Sequence, residues 1–176
     1  MGVGRDERAW VRGAQAGSVS ELEALFKLHW PGAYRAAYLV CHDAAAAEDI
    51  AQEAFLAAVR ALDRFDRRRS FGPWLHRIVV NRAIDWSRAR TLRAEVELHE
   101  TAAATESGLP SGNSHTVASA LSSLSPEHRA VIVLRYLLDY TPGEIADLLE
   151  LPRGTVNSRL RRGLDALEPC LRERIR

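Results

Sequence analysis

A helix start at Thr141-Pro142-Gly143-Glu144, followed soon by a break at Glu150-Leu151-Pro152, constrains this chain more than any other feature. Thr at the N-cap with Glu three residues on is a capping box, and proline suits the first helical position because its missing N–H has no intrahelical partner there. The helix so opened takes Ile145, Leu148 and Leu149 as its apolar contacts, and the next starts at Arg153. That second helix carries Val156, Leu160, Leu164 and Leu167 on one side and turns Thr155, Ser158, Arg161 and Arg162 away, with Asn157 and Arg159 flanking them. Two short helices across a tight turn, the second with an outer face of Arg, Ser, Thr and Asn, form a helix-turn-helix whose second helix enters the major groove. Arg153, Thr155, Asn157, Ser158, Arg159, Arg161 and Arg162 are the candidate DNA contacts, against the alternative of a helical hairpin that only packs.

A second stretch, Ser70 through Trp86, reads as a helix with Ser70 as N-cap and Pro73 in the first turn. At about 100° per residue, Trp74, Arg77, Asn81, Asp85 and Arg88 share one face, and Leu75, Val79, Ala83 and Trp86 share the other. A ring to stack on, an amide that pairs with base edges and Arg for phosphates suit unstacked nucleic acid. The alternative is a surface helix whose Trp covers the core. With Phe65 just upstream, the candidate single-strand residues are Phe65, Trp74, Arg77, Asn81 and Arg88.

The net charge of +1 hides a strong local asymmetry. From Arg60 to Arg93 there are ten Arg against Asp63, Asp66 and Asp85, a net of +7; from Ala94 to Pro126 there are four Glu and no Lys or Arg, a net of −4. The field is therefore local rather than global. The 47% hydrophobic, 27% charged composition is that of a folded, soluble protein, and the absence of any long uncharged apolar run or N-terminal leader pattern places it in the cytoplasm. Two distant cysteines, Cys41 and Cys170, give no metal or redox spacing, and Cys41 reads as a small buried thiol. The six His are scattered without HExxH, and no Gly-rich phosphate loop is present, so no catalytic residue, metal, cofactor or small-molecule substrate is expected.

Elsewhere the pattern is helical. Arg5 to Ala16 forms a short helix around Trp10 and Val11, and Ser18-Val19-Ser20-Glu21 reads as a capping box opening a second helix that Pro31-Gly32 should kink or interrupt. Asp43 caps a third, whose Ala47, Ile50, Ala51, Ala54 and Ala58 recur at helical spacing and leave Glu48, Asp49, Gln52 and Glu53 outward as a solvated face or a docking surface for a basic partner. Arg82 falls inside an otherwise apolar arc of its helix, where it reads only as a snorkelling stem. Thr101 to His115 is rich in Ala, Ser, Thr and Gly and reads as a linker. The expected architecture is all-α, with two small helical domains, 1–93 and 117–176, joined by a flexible linker over 94–116.

Three motifs in order resemble the extracytoplasmic-function (ECF) sigma factors of bacterial RNA polymerase. Glu48-Asp49-Ile50-Ala51-Gln52-Glu53-Ala54-Phe55 resembles the polymerase-binding helix of region two. Phe71, Trp74-Leu75, Ile78 through Asn81 and Asp85 resemble the promoter-melting segment, and Leu124-Ser125-Pro126 through Leu160 resembles region four. The resemblance implies that Glu48, Asp49, Gln52 and Glu53 bind the clamp helices of the polymerase β′ subunit. It implies that the first domain opens the minus-ten element, with a flipped base in a pocket at Asn81, and that the helix-turn-helix reads the minus-thirty-five element. Further implied partners are the flap of the β subunit and an inhibitory anti-sigma protein. Asn157 stands where many relatives carry Arg or Lys, and Glu150 where Gly is frequent, so this turn is expected not to demand a left-handed residue. An autonomous helix-turn-helix regulator with an N-terminal ligand or dimerisation domain is the competing reading.

Overall fold

The structure, a computed structural model, describes the backbone of residues 3–100 and 120–172 and the side chains of residues 7–94 and 120–169. Among the described residues there is no strand. The helices are α1 (Val3–Gln15), α2 (Val19–Cys41), α3 (Ala44–Ala61) with a 3₁₀ turn over Leu62–Arg64, α4 (Phe71–Glu100), α5 (Pro126–Tyr136), α6 (Pro142–Leu149) and α7 (Arg153–Arg172). The expected linker lies outside the described residues beyond Glu100, and up to that point the chain is a continuation of α4. The side chain of Cys170 also lies outside them.

The first four helices bundle around Leu25, Val40, Leu75, Val79 and Val80, all fully buried. Alanine does much of the packing. Ala33, Ala36 and Ala37 of α2 and Ala47, Ala51, Ala54 and Ala58 of α3 are wholly buried, and their short side chains let the helix axes approach closely. Pro31 sits inside α2, which runs on without interruption, so of the two expected outcomes the break does not occur. The Ser18 capping box is not made: the Ser18 and Ser20 hydroxyls donate to the Glu21 carboxylate, the Ser18 side chain caps no backbone N–H, and the Ser18 N–H goes to Gly13 O. Asp43 caps α3 as expected, accepting from Ala46 N at 3.0 Å.

The start of α4 is capped from elsewhere. Glu7 of α1 accepts from Phe71 N at 2.8 Å and from Gly72 N at 3.4 Å, placing a carboxylate against the positive end of the helix. Ser70 is only the residue before it. Glu7 is held in turn beside His29, 3.7 Å away.

In the C-terminal half, Ser125 caps α5 and the Thr141–Glu144 capping box closes in both directions. Leu134, Ile145 and Val156 are fully buried where α5, α6 and α7 meet. Gly163 lets α7 lie close on α5, since a Cβ there would stand 3.1 Å from Ile132 Cγ1. Leu164, expected on the buried stripe, is instead exposed, while Leu160 and Leu167 on either side of it are buried. Glu150 ends α6 at φ 55°, in the left-handed conformation, contrary to expectation; its N–H reaches Ala146 O and closes the last turn.

Candidate nucleic-acid interface

The face of α4 is built on an aromatic base. Trp74 is half-buried, its ring 4.6 Å from that of Phe65 and 5.6 Å from that of Phe71. Phe65 was expected to wall the site, but it is 7% exposed and lies beneath Trp74, because its ring closes the bundle between the 3₁₀ turn and α4. Trp74 is the ring that reaches the surface. Asn81, two turns on, is exposed.

The cations of this face are engaged. Arg77 pairs with Glu150 of the C-terminal half. Arg88 donates to Glu127 Oε1 at 2.6 Å and lies 3.8 Å from Asp85. Burial pushes the Glu127 carboxyl up, but the hydrogen bond and charge of Arg88, with the hydrogen bonds from its own backbone and from Ser125, together outweigh it and the net shift is downward. An open cleft of about 300 Å³ runs between Arg69, Trp74 and Arg77 on one wall and Tyr140, Glu144 and Asp147 on the other.

On α7, Arg153, Asn157, Arg161 and Arg162 face solvent, whereas Thr155, Ser158 and Arg159 are half-buried. Ser158 Oγ donates to Thr155 O at 2.9 Å, so its hydroxyl turns back onto the helix. The outer face is thus narrower than its sequence suggested.

On α3, Glu48, Asp49, Gln52 and Glu53 are all exposed. Arg82 has a partner after all: its guanidinium meets Glu53 Oε2 at 2.5 Å, holding α4 to α3. Sequence reasoning missed Leu56, which is 55% exposed one turn beyond Gln52 and Glu53. The available signal was that a large apolar residue falls off the Ala/Ile stripe of its helix.

Between the halves lies Arg129, 7% exposed. It donates to the carbonyls of Leu121 at 2.8 Å, Ser122 at 3.1 Å and Leu124 at 2.8 Å, and across the seam to Val40 O. Val40 belongs to the last turn of α2, so this cation caps a helix C-terminus from the other half of the chain. Burial lowers the Arg129 pKa to about 10, with the Cys41 thiol opposing, and burial raises Cys41 to about 11. Nearby, His76 Nδ1 and the Tyr140 hydroxyl share a hydrogen bond of 2.8 Å.

An all-helical bundle with an exposed aromatic and amide helix face, placed beside a helix-turn-helix with an Arg-rich outer helix, defines a DNA-binding protein of two modules. Comparison narrows the class. The family model of sigma-70 region 2 matches residues 25–93, and that of sigma-70 region 4 matches residues 114–167. The ECF RNA polymerase sigma factor SigW of Bacillus subtilis is 35% identical over 157 residues, 80% of this chain and 83% of that protein. The ECF sigma factor SigL of Mycobacterium tuberculosis is 33% identical over 171 residues, 94% and 97% of the two chains. Among solved structures, CnrH in complex with the cytosolic domain of CnrY superposes with a TM-score of 0.72 at 28% identity, covering 96% of this chain and 98% of CnrH. The sigma factor RpoE of Bartonella quintana, in complex with the anti-sigma factor NepR, shares the fold, with a TM-score of 0.70 at 23% identity over 88% of this chain and 98% of that one. The chain belongs to the ECF RNA polymerase sigma factors, proteins of promoter-specific transcription initiation.

Proposed function

We propose that this sigma factor docks on the clamp helices of the polymerase β′ subunit through Glu48, Asp49, Gln52 and Glu53 of α3, with Leu56 as the apolar centre of the contact. The segment around α4, within residues 1–93, then melts the minus-ten element. Trp74 stacks an unpaired base, Asn81 pairs with a base edge, and Arg77 and Arg88 hold the backbone. Residues 117–176 engage the β-subunit flap and set α7 in the major groove of the minus-thirty-five element, with Arg153, Asn157, Arg161 and Arg162 outward and Thr155, Ser158 and Arg159 along the margin. The stretch over 94–116 connects the two. Polymerase supplies the chemistry and this chain the specificity, in the cytoplasm. An anti-sigma protein is its natural inhibitor, as the complex of RpoE with the anti-sigma factor NepR suggests by analogy of fold.

The observation that carries the reading is the exposed amide of Asn81 two turns from a surface Trp set on a rigid aromatic base. Both groups act on unpaired DNA only. Asn81→Ala should leave polymerase binding and upstream recognition nearly unchanged while lowering open-complex formation on duplex promoters about tenfold, and a premelted bubble should restore most of the loss. Thymine reactivity in promoter complexes reads the outcome. Normal opening with an unaltered base preference would make Asn81 a mere surface amide.

A further inference from the structure

We propose that the cleft at the C-terminal end of α2, walled by the late turns of α4 and by the segment that leads into α5, binds a nucleoside phosphate, with its phosphates at Arg90 and Arg129 and its base on Trp86. The proposal is independent of the contacts assigned above to DNA and polymerase: neither Trp74 and Asn81 nor the outward residues of α3 line this cleft.

Three observations carry it. The first is the chemistry of the walls. The cleft encloses about 600 Å³, a size that suits a small organic ligand better than a bare oxyanion, and among the described residues its lining has two guanidinium groups, an imidazole and several hydroxyls but no carboxylate. The second is an uncompensated charge. Arg129 is 7% exposed, and its N–H groups meet four carbonyls and, among the described residues, no carboxylate. Carbonyl dipoles offset part of a buried cation, and an anion at the cleft wall would offset the rest. Burial first, then that same charge, holds the neighbouring His42 imidazole down to about 4, and its buried Nε2 has no partner among the described residues. The third is a flat platform beside a cation that can turn. Arg90 stands over the Trp86 ring, 5.3 Å from its centroid, and guanidinium and aromatic planes are what unstacked bases lie on. Arg90 also reaches Asp43 Oδ2 at 3.2 Å, but that pair is partly exposed and contributes little, and Asp43 keeps its cap on Ala46 N through Oδ1 when the guanidinium turns to phosphate.

The test uses the full chain in EDTA, with ADP, pyrophosphate and adenosine as probes in isothermal titration calorimetry. ADP should bind at a single site with a Kd on the order of 100 μM, and pyrophosphate and adenosine each about tenfold more weakly, because each makes only part of the contacts. Imidazole resonances in NMR locate the site: His42 should shift on adding ADP while His29 and His76 stay in place. The variant His42→Asn assigns the resonance, since Asn tolerates the left-handed backbone held there at φ 56°. Arg90→Gln should weaken ADP about tenfold with the ligand-free urea midpoint unchanged, whereas Arg60→Gln, an exposed arginine outside the cleft, should change nothing. Trp86→Leu should bring ADP down to the level of pyrophosphate; its fold is checked by circular dichroism, and the three wild-type titrations read the base contact independently of it.

ADP binding no tighter than the millimolar range overturns the site. Binding that leaves His42 unshifted, or that Arg90→Gln and Arg60→Gln weaken alike, is attraction to the basic surface at large and overturns it too. Equal affinity for ADP and pyrophosphate, with His42 shifted, overturns the nucleoside and makes the cleft a site for inorganic phosphates alone.

Discussion

Glu150 holds a left-handed backbone with a side chain that gains nothing locally from it. A non-glycine residue in that region carries roughly 1–2 kcal/mol of steric strain, which glycine lacks at the expense of a floppier unfolded chain. Glu150→Gly should therefore stabilise the protein by about 0.5–1 kcal/mol even after losing the exposed pair with Arg77, raising the melting temperature by about 2–3 °C. Differential scanning calorimetry checks it, and a lower melting temperature would mean that the Arg77 pair outweighs the strain. Two histidines give a second residue-scale expectation. Burial first, then the charge of Arg129, holds His42 down to about 4; burial first, then His29, does the same to His76. The unfolded chain takes up these protons near the ordinary value of 6.5 and the folded chain does not until about 4, so stability is full above that window and falls as pH drops through it. Urea midpoints should be level above about pH 7 and decline toward pH 4, and His76→Gln should flatten the decline.

At the scale of elements, α3 and α7 each present an exposed polar face opposite a packed one, so mutations on the two faces should separate. Asp49→Lys on the exposed face of α3 should weaken polymerase binding about tenfold, most at low salt, with the melting temperature unchanged. Glu53→Lys should do the same and also destabilise the chain, because it turns the Arg82 contact into a repulsion. Pull-down titration beside thermal unfolding distinguishes the two variants. On α7, Asn157→Arg should shift upstream base preference from adenine toward guanine at one position, a discrimination of about 1–3 kcal/mol in run-off transcription across a promoter library. Gly163→Val probes the packed side of the same helix. Its side chain would push into Ile132, and a loss of about 2 kcal/mol is expected, without change in base preference for whatever protein remains folded.

For the whole molecule, the seam between the halves holds one buried, fork-shaped cation, Arg129, serving three carbonyls of its own half and Val40 O across the seam, with no carboxylate among its partners in the described residues. Arg129→Lys keeps the charge but replaces five fixed donors with one compact ammonium, leaving acceptors unmet at about 1–3 kcal/mol each. A fall of about 2–3 kcal/mol in urea unfolding is expected, and an unchanged midpoint would mean that water or backbone shifts serve those carbonyls equally well. What the amino-acid order determined alone is what local physics governs: helix periodicity, the caps at Asp43, Ser125 and Thr141, the short spacing that made a helix-turn-helix, and the polar and apolar sides of α3, α4 and α7. Those signals lie within a few residues of what they specify. Tertiary structure decided the rest. Arg82 found Glu53 twenty-nine positions away, Arg77 found Glu150 seventy-three away, and Arg129 reached Val40 across eighty-nine. Phe65 became the support of a surface Trp rather than a surface ring, Glu7 took the cap that Ser70 had promised, and Glu150 turned left-handed. Each depends on where a distant helix comes to rest, and helix packing is set by how many buried side chains fit together at once rather than by any motif.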